Sequence, residues 1–380
     1  MISNNPFVDF YKSNNISPVH QDISNIEIHI KKREKLYRTL GLCPVFFKNK
    51  EILEVGPGGG YNSLAFFIWG CSNMIFVEPN PRGCKEIPDT LSKINVVKNY
   101  QIFPSFLEEF DTDKEFDIII AEGFIPGLND RTQILSKLKG MVLRGGIVIV
   151  TCMDEISYFF EHLKRLIASK YLYDHQITNF SESVEVLSKC FLPFHKALKF
   201  VSRPIEDWVA DVLLNPSMYG KYFSIEDSIL EFGNEFEVLG TCPSMFTNYS
   251  WHKDISFNEK EEFLKQFKLK RHNLMYSHLA GSLRSQDENE ELLRLSKKLF
   301  KIASRTKSFD LETNKQLISV LDSIKDNILN IDSAIVDAIK EAIILLEKKN
   351  IEIEDIHNSL NLGNVYGTGQ QYVAFAKKFI

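Results

Sequence analysis

The chain has 380 residues, of which 44% are hydrophobic and 25% charged, a composition typical of a folded globular protein. Its formal net charge of -5 provides no basic field to gather phosphate backbones, so we expect no nucleic-acid partner. The six cysteines occur singly, without the C-x-x-C spacing of a zinc site or a disulfide framework; they are Cys43, Cys71, Cys84, Cys152, Cys190 and Cys242. We therefore expect a reducing compartment and no structural metal.

The segment from Met1 to Tyr11 lacks a charged region followed by an apolar run, the pattern of a secretory signal. No stretch of about 18 uninterrupted apolar residues predicts a transmembrane segment. The expected location is the cytoplasm.

Short apolar runs alternate with helix-length segments along the first two thirds of the chain. A polar arm and a helical pattern occupy residues 1–47, and the apolar run of β-strand length that follows ends in glycines. Further strands are predicted at Met74–Val77, Ile94–Val97, Phe116–Ala121, Gly146–Thr151 and Phe236–Gly240. This alternation predicts a mostly parallel α/β sheet with helices on both faces.

The rest of the chain is predicted to be mainly helical. A helix is expected over Ser157–Lys170, and residues 175–235 are expected to form a lid of small helices inserted into a domain spanning 48–257. Helical periodicity in 258–362 predicts about four helices. The end, 363–380, carries Tyr372–Phe379, which predicts a strand returning to the sheet as its seventh member.

The segment Glu51–Gly60, E-I-L-E-V-G-P-G-G-G, bears the main chemical signal. Its strand delivers a carboxylate, Glu54, to a glycine-rich turn that opens a helix, and glycines let the backbone approach a ligand closely. A second carboxylate, Glu78, ends the next strand about 20 residues later, where Rossmann-type folds bind ribose hydroxyls.

Glu54 to Gly60 followed by Glu78 resembles the first two motifs of the class I S-adenosylmethionine (SAM)-dependent methyltransferases. Phe116–Glu122 resembles the family's fourth strand, whose end faces the transferred methyl group, and Leu143–Ile149 resembles the loop and strand that come next. The resemblance covers about residues 48–155 and implies a Rossmann-like seven-stranded sheet with SAM as cofactor. It also implies a cofactor-binding set of Glu54, Gly56, Pro57, Gly58, Gly60, Glu78, Pro79, Asn80, Ser105 and Phe106.

A dinucleotide such as NAD or FAD is the rival ligand, because the same strand, turn and helix serve any adenosine. The glycines are bunched, however, and Tyr61 occupies the position of the last glycine in G-x-G-x-x-G. Glu54 would also repel a pyrophosphate, whereas it suits the ammonium group of SAM.

Two carboxylates beyond the strand ends are the candidate catalytic residues. Glu122 follows the fourth strand and is a candidate general base or acceptor-orienting group, with a simple hydrogen-bonding role as the alternative. Asp154 follows the fifth strand and could orient an acceptor, with helix capping as the alternative. Trp208 and Trp251 could face a sugar or a sulfonium, although core packing is their ordinary role.

The resemblance implies transfer of a methyl group to an O or N atom of a small-molecule or sugar-like acceptor by in-line displacement. Asn5-Pro6-Phe7, the segment 17–23 and the closing G-T-G-Q-Q-Y-V loosely resemble bacterial methyltransferases of surface polysaccharides and secondary metabolites. In this interpretation the helical region contributes to the acceptor pocket or forms a homodimer interface. The alternative is a non-catalytic SAM-fold protein whose helical region recruits a partner.

Overall fold

A computed structural model describes most of the chain. The described residues are 6–14, 21–96, 98–198, 201, 203–216, 222–249, 251–253, 259–279 and 281–380. Val97, Asn5 and residues 17–20, which the predictions above include, lie outside this set.

The centre of the first compact unit is a seven-stranded sheet with the order β3-β2-β1-β4-β5-β7-β6. Neighbouring strands from β3 to β5 pair in parallel, and β7 runs antiparallel to both β5 and β6. The strands are β1 Glu51–Val55, β2 Asn73–Val77, β3 Tyr100–Phe103, β4 Phe116–Ala121, β5 Val142–Cys152, β6 Phe236–Cys242 and β7 Gln371–Lys377. The predicted fold class, a Rossmann-like mostly parallel sheet with a helical C-terminal region, is confirmed.

The prediction for the third strand is wrong. Ile94 follows α4, which ends at Ser92, and its buried side chain packs into the core from the helix end. The strand itself is the short edge segment Tyr100–Phe103, whose side chains are all at least partly exposed. The apolar residues that follow α4 match the pattern of a buried strand better than the half-exposed edge strand does.

The helices of the first unit flank the sheet. They are α1 Pro6–Ser13, α2 Ile26–Thr39, α3 Leu64–Ile68, α4 Pro81–Ser92, α5 Thr132–Met141 and α10 Ile225–Phe232. Helix α4 begins where it does because the Asn80 side chain accepts a hydrogen bond from the Arg82 amide and Pro81 fills the first helical position. Aromatic contacts hold α2 against α3 and the turn before β1, since the Tyr37 ring meets Phe47 and Phe66 edge-on at 5.1 and 5.5 Å.

The second compact unit is helical and is built from two separate segments, 154–219 and 265–369. Its helices include α6 Phe159–Asp174, α7 Phe180–Cys190, α8 Leu192–Ala197, α9 Ile205–Trp208, α12 Gln286–Ala303, α13 Leu311–Asn327, α14 Ser333–Glu347, α15 Ile353–Asn358 and α16 Leu360–Asn364. Helix α11, Glu259–Lys270, contains the boundary between the two units at Leu264.

The predicted domain boundaries differ from this arrangement. Residues 175–235 do not form one lid, because the part up to Tyr219 belongs to the helical unit and α10 belongs to the sheet unit. Helix α6 is buried almost all round by helices of both segments, which is why 154–219 groups with 265–369. Among the described residues, no helix is long and apolar enough to span a membrane.

Candidate functional site

The turn after β1 has the backbone that its glycines predict. Gly56, Gly58 and Gly60 have φ angles of +68°, +58° and +77°, which favour glycine strongly over any residue with a Cβ atom. The Gly60 amide donates to the Pro57 carbonyl at 3.0 Å and closes the turn. The sequence Gly-Pro-Gly-Gly-Gly thus forms a tight, side-chain-poor loop at the carboxyl edge of the parallel strands, where open α/β sheets bind ligands.

Neighbouring elements approach this turn closely. A Cβ atom at Gly83 in α4 would lie 2.8 Å from the Gly58 carbonyl oxygen, and one at Gly56 would lie 3.1 Å from the Phe124 ring. Helix α4 and the segment after β4 therefore enclose the turn from two sides.

Glu78, at the end of β2, is 3% exposed and its carboxylate holds the turn. One oxygen accepts the Gly58 amide at 2.8 Å and the other accepts the Asn80 amide at 2.7 Å. Burial raises the pKa of Glu78 to about 6, although both amides favour the charged form. A carboxylate has about four lone-pair positions, so two of them stay available for ligand hydroxyls.

The other predicted cofactor residues lie beside Glu78 in the chain or in space. Asn80 is 4% exposed and its side-chain amide nitrogen finds no hydrogen-bond partner among the described residues. Pro79 and Ser105 follow β2 and β3, and the Ser105 amide donates to the Phe103 carbonyl at 2.9 Å. The Phe106 ring lies 5.7 Å from the Lys12 ammonium group of α1.

Glu54, in the penultimate position of β1, is 3% exposed. Its carboxylate accepts a 2.6 Å hydrogen bond from the Ser63 hydroxyl. Burial raises the pKa of Glu54 to about 8, and the Glu122 carboxylate adds to the rise, while Ser63 lowers it.

Glu122, which follows β4, is the acceptor of a buried network. Its Oε1 accepts from the Arg33 guanidinium at 2.6 Å and from the Tyr37 hydroxyl at 2.8 Å, and its Oε2 accepts from the Asn62 amide at 3.2 Å. The side chains of the ion pair are 8% and 9% exposed. Burial lowers the pKa of Arg33, but the Glu122 carboxylate, Tyr37 and Tyr372 together raise that pKa above its ordinary value, so the Arg33 guanidinium is charged.

Three of these network residues were missed by sequence reasoning. Arg33 and Tyr37 lie on α2, and Asn62 lies in the turn after β1, 60 residues before its carboxylate partner. The one available signal was the spacing of His29, Arg33 and Tyr37, which places all three on one helical face.

Asp154 opens the helical unit and is fully buried. Its carboxylate accepts from the Ile156 amide at 2.8 Å and forms an ion pair with Arg271 at 2.6 Å. The first contact closes a turn ahead of α6, whose N-cap residue is Tyr158, so Asp154 does not cap that helix. Like Glu122, Asp154 is already paired with an arginine, and this favours a holding role over proton abstraction.

The aromatic candidates separate by burial. Trp208 is 5% exposed and packs in the helical unit, whereas Trp251, in the loop after β6, is 64% exposed. No group of three or more His, Cys, Asp or Glu side chains in the described ranges is arranged to hold a metal ion.

Neither a scan of protein-family models nor a search of curated proteins gives a match to this chain. Comparison with solved structures gives partial likenesses. PKMT2 from Rickettsia typhi, solved with S-adenosylhomocysteine, is 19% identical over 63% of this chain and 49% of its own length, with a TM-score of 0.41.

Two further structures match shorter regions. The N-methyltransferase NodS from Bradyrhizobium japonicum, also solved with S-adenosylhomocysteine, is 17% identical over 38% of this chain and 74% of its own, with a TM-score of 0.31. A SAM-dependent methyltransferase from Mesorhizobium loti is 14% identical over 30% of this chain and 51% of its own, with a TM-score of 0.26. The matched region thus spans about half of the Rickettsia and Mesorhizobium proteins.

Proposed function

We propose that this chain is a SAM-dependent methyltransferase that transfers a methyl group to an O or N atom of a small-molecule or sugar-like acceptor. The observation that carries the proposal is the turn of three positive-φ glycines between β1 and α3, flanked by the buried carboxylates Glu54 and Glu78. A polar, side-chain-poor crevice with two acids suits a nucleoside that also bears a positive charge.

The residues present fit SAM part by part. Glu78 would accept the two ribose hydroxyls on its remaining lone pairs, and the unpartnered amide of Asn80 would donate to a ring nitrogen of adenine. Phe106 would flank the adenine ring, as its place after β3 suggests. Glu54 and Glu122 would lie toward the methionine part, where SAM carries its ammonium group and its sulfonium.

A pyrophosphate fits this crevice poorly. Glu54 lies at the turn where a dinucleotide would bring negative charge, and whether neutral or ionised it offers the phosphates no cation. Glu54 can instead ionise beside the ammonium group of a ligand, which supports SAM over NAD or FAD.

When bound, SAM supplies an electrophilic methyl carbon on a positively charged sulfur. The chain's contribution is to align the acceptor atom with that carbon and to exclude water. Arg33, Tyr37 and Asn62 hold the Glu122 carboxylate in one position, so we assign Glu122 an orienting role rather than the role of a free base. A hydroxyl acceptor would need a further proton acceptor, whereas a neutral amine would not.

The test has two stages on the full chain. Isothermal titration with S-adenosylhomocysteine should show binding, and incubation with methyl-labelled SAM and a panel of amines, alcohols and sugar nucleotides should label one acceptor class. Absence of binding would overturn the cofactor assignment. Binding without labelling of any acceptor would favour the alternative, a partner-recruiting protein that retains the SAM fold. The expected homodimer through residues 258–362 stays a prediction, which sedimentation of the same sample checks.

A further inference from the structure

The candidate site contains more acid than base. Glu54 and Glu122 lie at the ends of the neighbouring strands β1 and β4, whose residues Val55 and Ala121 are directly paired. The Arg33 guanidinium forms an ion pair with the Glu122 carboxylate at 2.6 Å, and no described residue forms an ion pair with Glu54. A fully buried carboxylate without a cation is costly to ionise. An ionised Glu54 would therefore need a positively charged partner that the described residues do not provide.

We propose that Glu54 is protonated in the ligand-free protein and loses its proton when the ammonium group of a bound ligand takes that proton's place. The inference rests on the proposed function, because it requires a ligand of the SAM class. In the exchange, the O–H bond of Glu54 breaks, its electron pair stays on the carboxylate, the proton passes to buffer, and the ammonium pairs with the new anion.

The groups that face Glu54 from each neighbouring element support this assignment. Glu122 from the end of β4 and Glu78 from the end of β2 both disfavour a third negative charge. Arg33 from α2 favours it, but less strongly than burial opposes it, and Tyr37 of the same helix stays neutral because burial raises its pKa. The Cys71 thiol, which also faces Glu54, is neutral because burial raises its pKa to about 12.

The hydroxyl of Ser63 is compatible with both states of Glu54. It donates to the carboxylate at 2.6 Å when Glu54 is ionised, and as a hydroxyl it can accept from the protonated acid instead. No side chain therefore has to move for the proton to leave.

The direction of the pH dependence follows from this exchange. The pKa of Glu54 is about 8 in the free protein and must be lower beside an ammonium group. Binding of the ammonium-bearing ligand thus releases a proton and strengthens as pH rises toward 8. Below that value, the affinity should fall roughly tenfold for each pH unit as long as the bound form stays ionised.

The experiment compares two ligands that differ in the amino-acid part. S-adenosylhomocysteine carries the ammonium group without the sulfonium charge, and 5′-methylthioadenosine carries neither. Titration calorimetry at pH 7 in buffers of different ionisation enthalpy counts the protons released. For S-adenosylhomocysteine we expect about 1.0 proton per ligand, about 0.9 from Glu54 and about 0.1 from Glu78, and for 5′-methylthioadenosine about 0.1, from Glu78 alone.

Two variants make the result specific. Glu54→Gln should remove the difference in proton release between the two ligands. Glu51→Gln, at the partly exposed start of the same strand, should leave it unchanged. If the Glu54→Gln protein binds too weakly for calorimetry, the pH series on the unaltered chain decides: the ratio of the two dissociation constants should change roughly tenfold between pH 6 and pH 7.

Equal proton release for both ligands, or a pH-independent ratio of their dissociation constants, would overturn the exchange while leaving the methyltransferase proposal intact. A failure of both ligands to bind would instead remove the proposed function itself.

Discussion

The carboxylate of Glu78 accepts a 2.8 Å hydrogen bond from the backbone amide of Gly58, so the acid that ends β2 holds the glycine turn that follows β1. The same carboxylate also accepts the Asn80 amide. It therefore links the loop that follows β1 to the loop that follows β2. A single side chain thus shapes the crevice and also offers lone pairs to a ligand.

Replacing this acid should weaken ligand binding measurably. Glu78→Ala removes charge-assisted hydrogen bonds to two ribose hydroxyls, which corresponds to about 1–3 kcal/mol of binding free energy for S-adenosylhomocysteine. Calorimetry gives the dissociation constant directly. Glu115→Ala, an exposed acid just before β4, is the control and should bind as the unaltered chain does. An unchanged dissociation constant for Glu78→Ala would remove this residue from the site.

The turn itself should tolerate no side chain at Gly58. Gly58→Val places a β-branched residue at a φ of +58° in a buried position, where the turn would relax to escape strain of ~3 kcal/mol. Restoring the ligand-binding turn would then cost that energy, which corresponds to about a 100-fold loss of affinity for S-adenosylhomocysteine. Gly140→Ala is the matched control, because nothing lies within 4 Å of its added Cβ and its φ is not positive. Normal binding by folded Gly58→Val protein would show that the ligand does not meet this turn.

The pair of Arg33 and Glu122 should matter for stability as well as for the site. Arg33→Met leaves the Glu122 carboxylate buried without its cation, and we expect a loss of about 3–5 kcal/mol in the free energy of unfolding. Chemical denaturation followed by circular dichroism measures it. Arg38→Met, which breaks an exposed pair with Glu34 on the same helix, should cost only about 0.5 kcal/mol.

Adding Glu122→Gln to Arg33→Met separates the pair from simple packing. The double variant should recover a large part of the lost stability, because the amide is neutral and can still pair with Tyr37 and Asn62. Losses that simply add would contradict a direct coupling between the two residues.

The sheet unit should not survive without the last strand. A chain ending after residue 257 lacks β7, which pairs on both sides, and leaves β5 and β6 without their shared neighbour. It also lacks residues 265–369, whose helices share a core with α6. We expect an aggregated or unfolded product by size-exclusion chromatography and circular dichroism. A chain ending after Lys378 keeps all of β7 and is the control. A monomeric 1–257 chain that binds S-adenosylhomocysteine normally would contradict this.

The sequence predicted those parts of the fold in which the pattern is local. Strands such as Phe116–Ala121 are short, apolar and buried on both faces, and the structure places this one at the predicted bounds. The turn at Gly56–Gly60 was equally predictable from the sequence, because only glycine accepts these φ angles at low cost. The edge strand Tyr100–Phe103 was not, since a half-exposed strand has no continuous apolar run.

The contacts that set the chemistry of Glu122 were beyond sequence reasoning. Arg33 precedes its partner by 89 residues, so no local pattern joins the two. In the structure Ile28 is 51% exposed, whereas Arg33 is 6% exposed. A charged residue on a buried helix face is predictable only once its partner is known. The grouping of 154–219 with 265–369 likewise depends on packing between distant segments.

The position of β7 has a consequence for synthesis of the protein on the ribosome. Roughly 130 residues separate the end of β6 from the start of β7, and translation at about 5–20 residues per second needs on the order of ten seconds to make them. During that interval the nascent chain carries β5 and β6 with unpaired edges, which are templates for association with other chains. Slower elongation lengthens this exposure, so the yield of folded protein should depend on translation speed across the helical segment and on chaperones that cover strand edges.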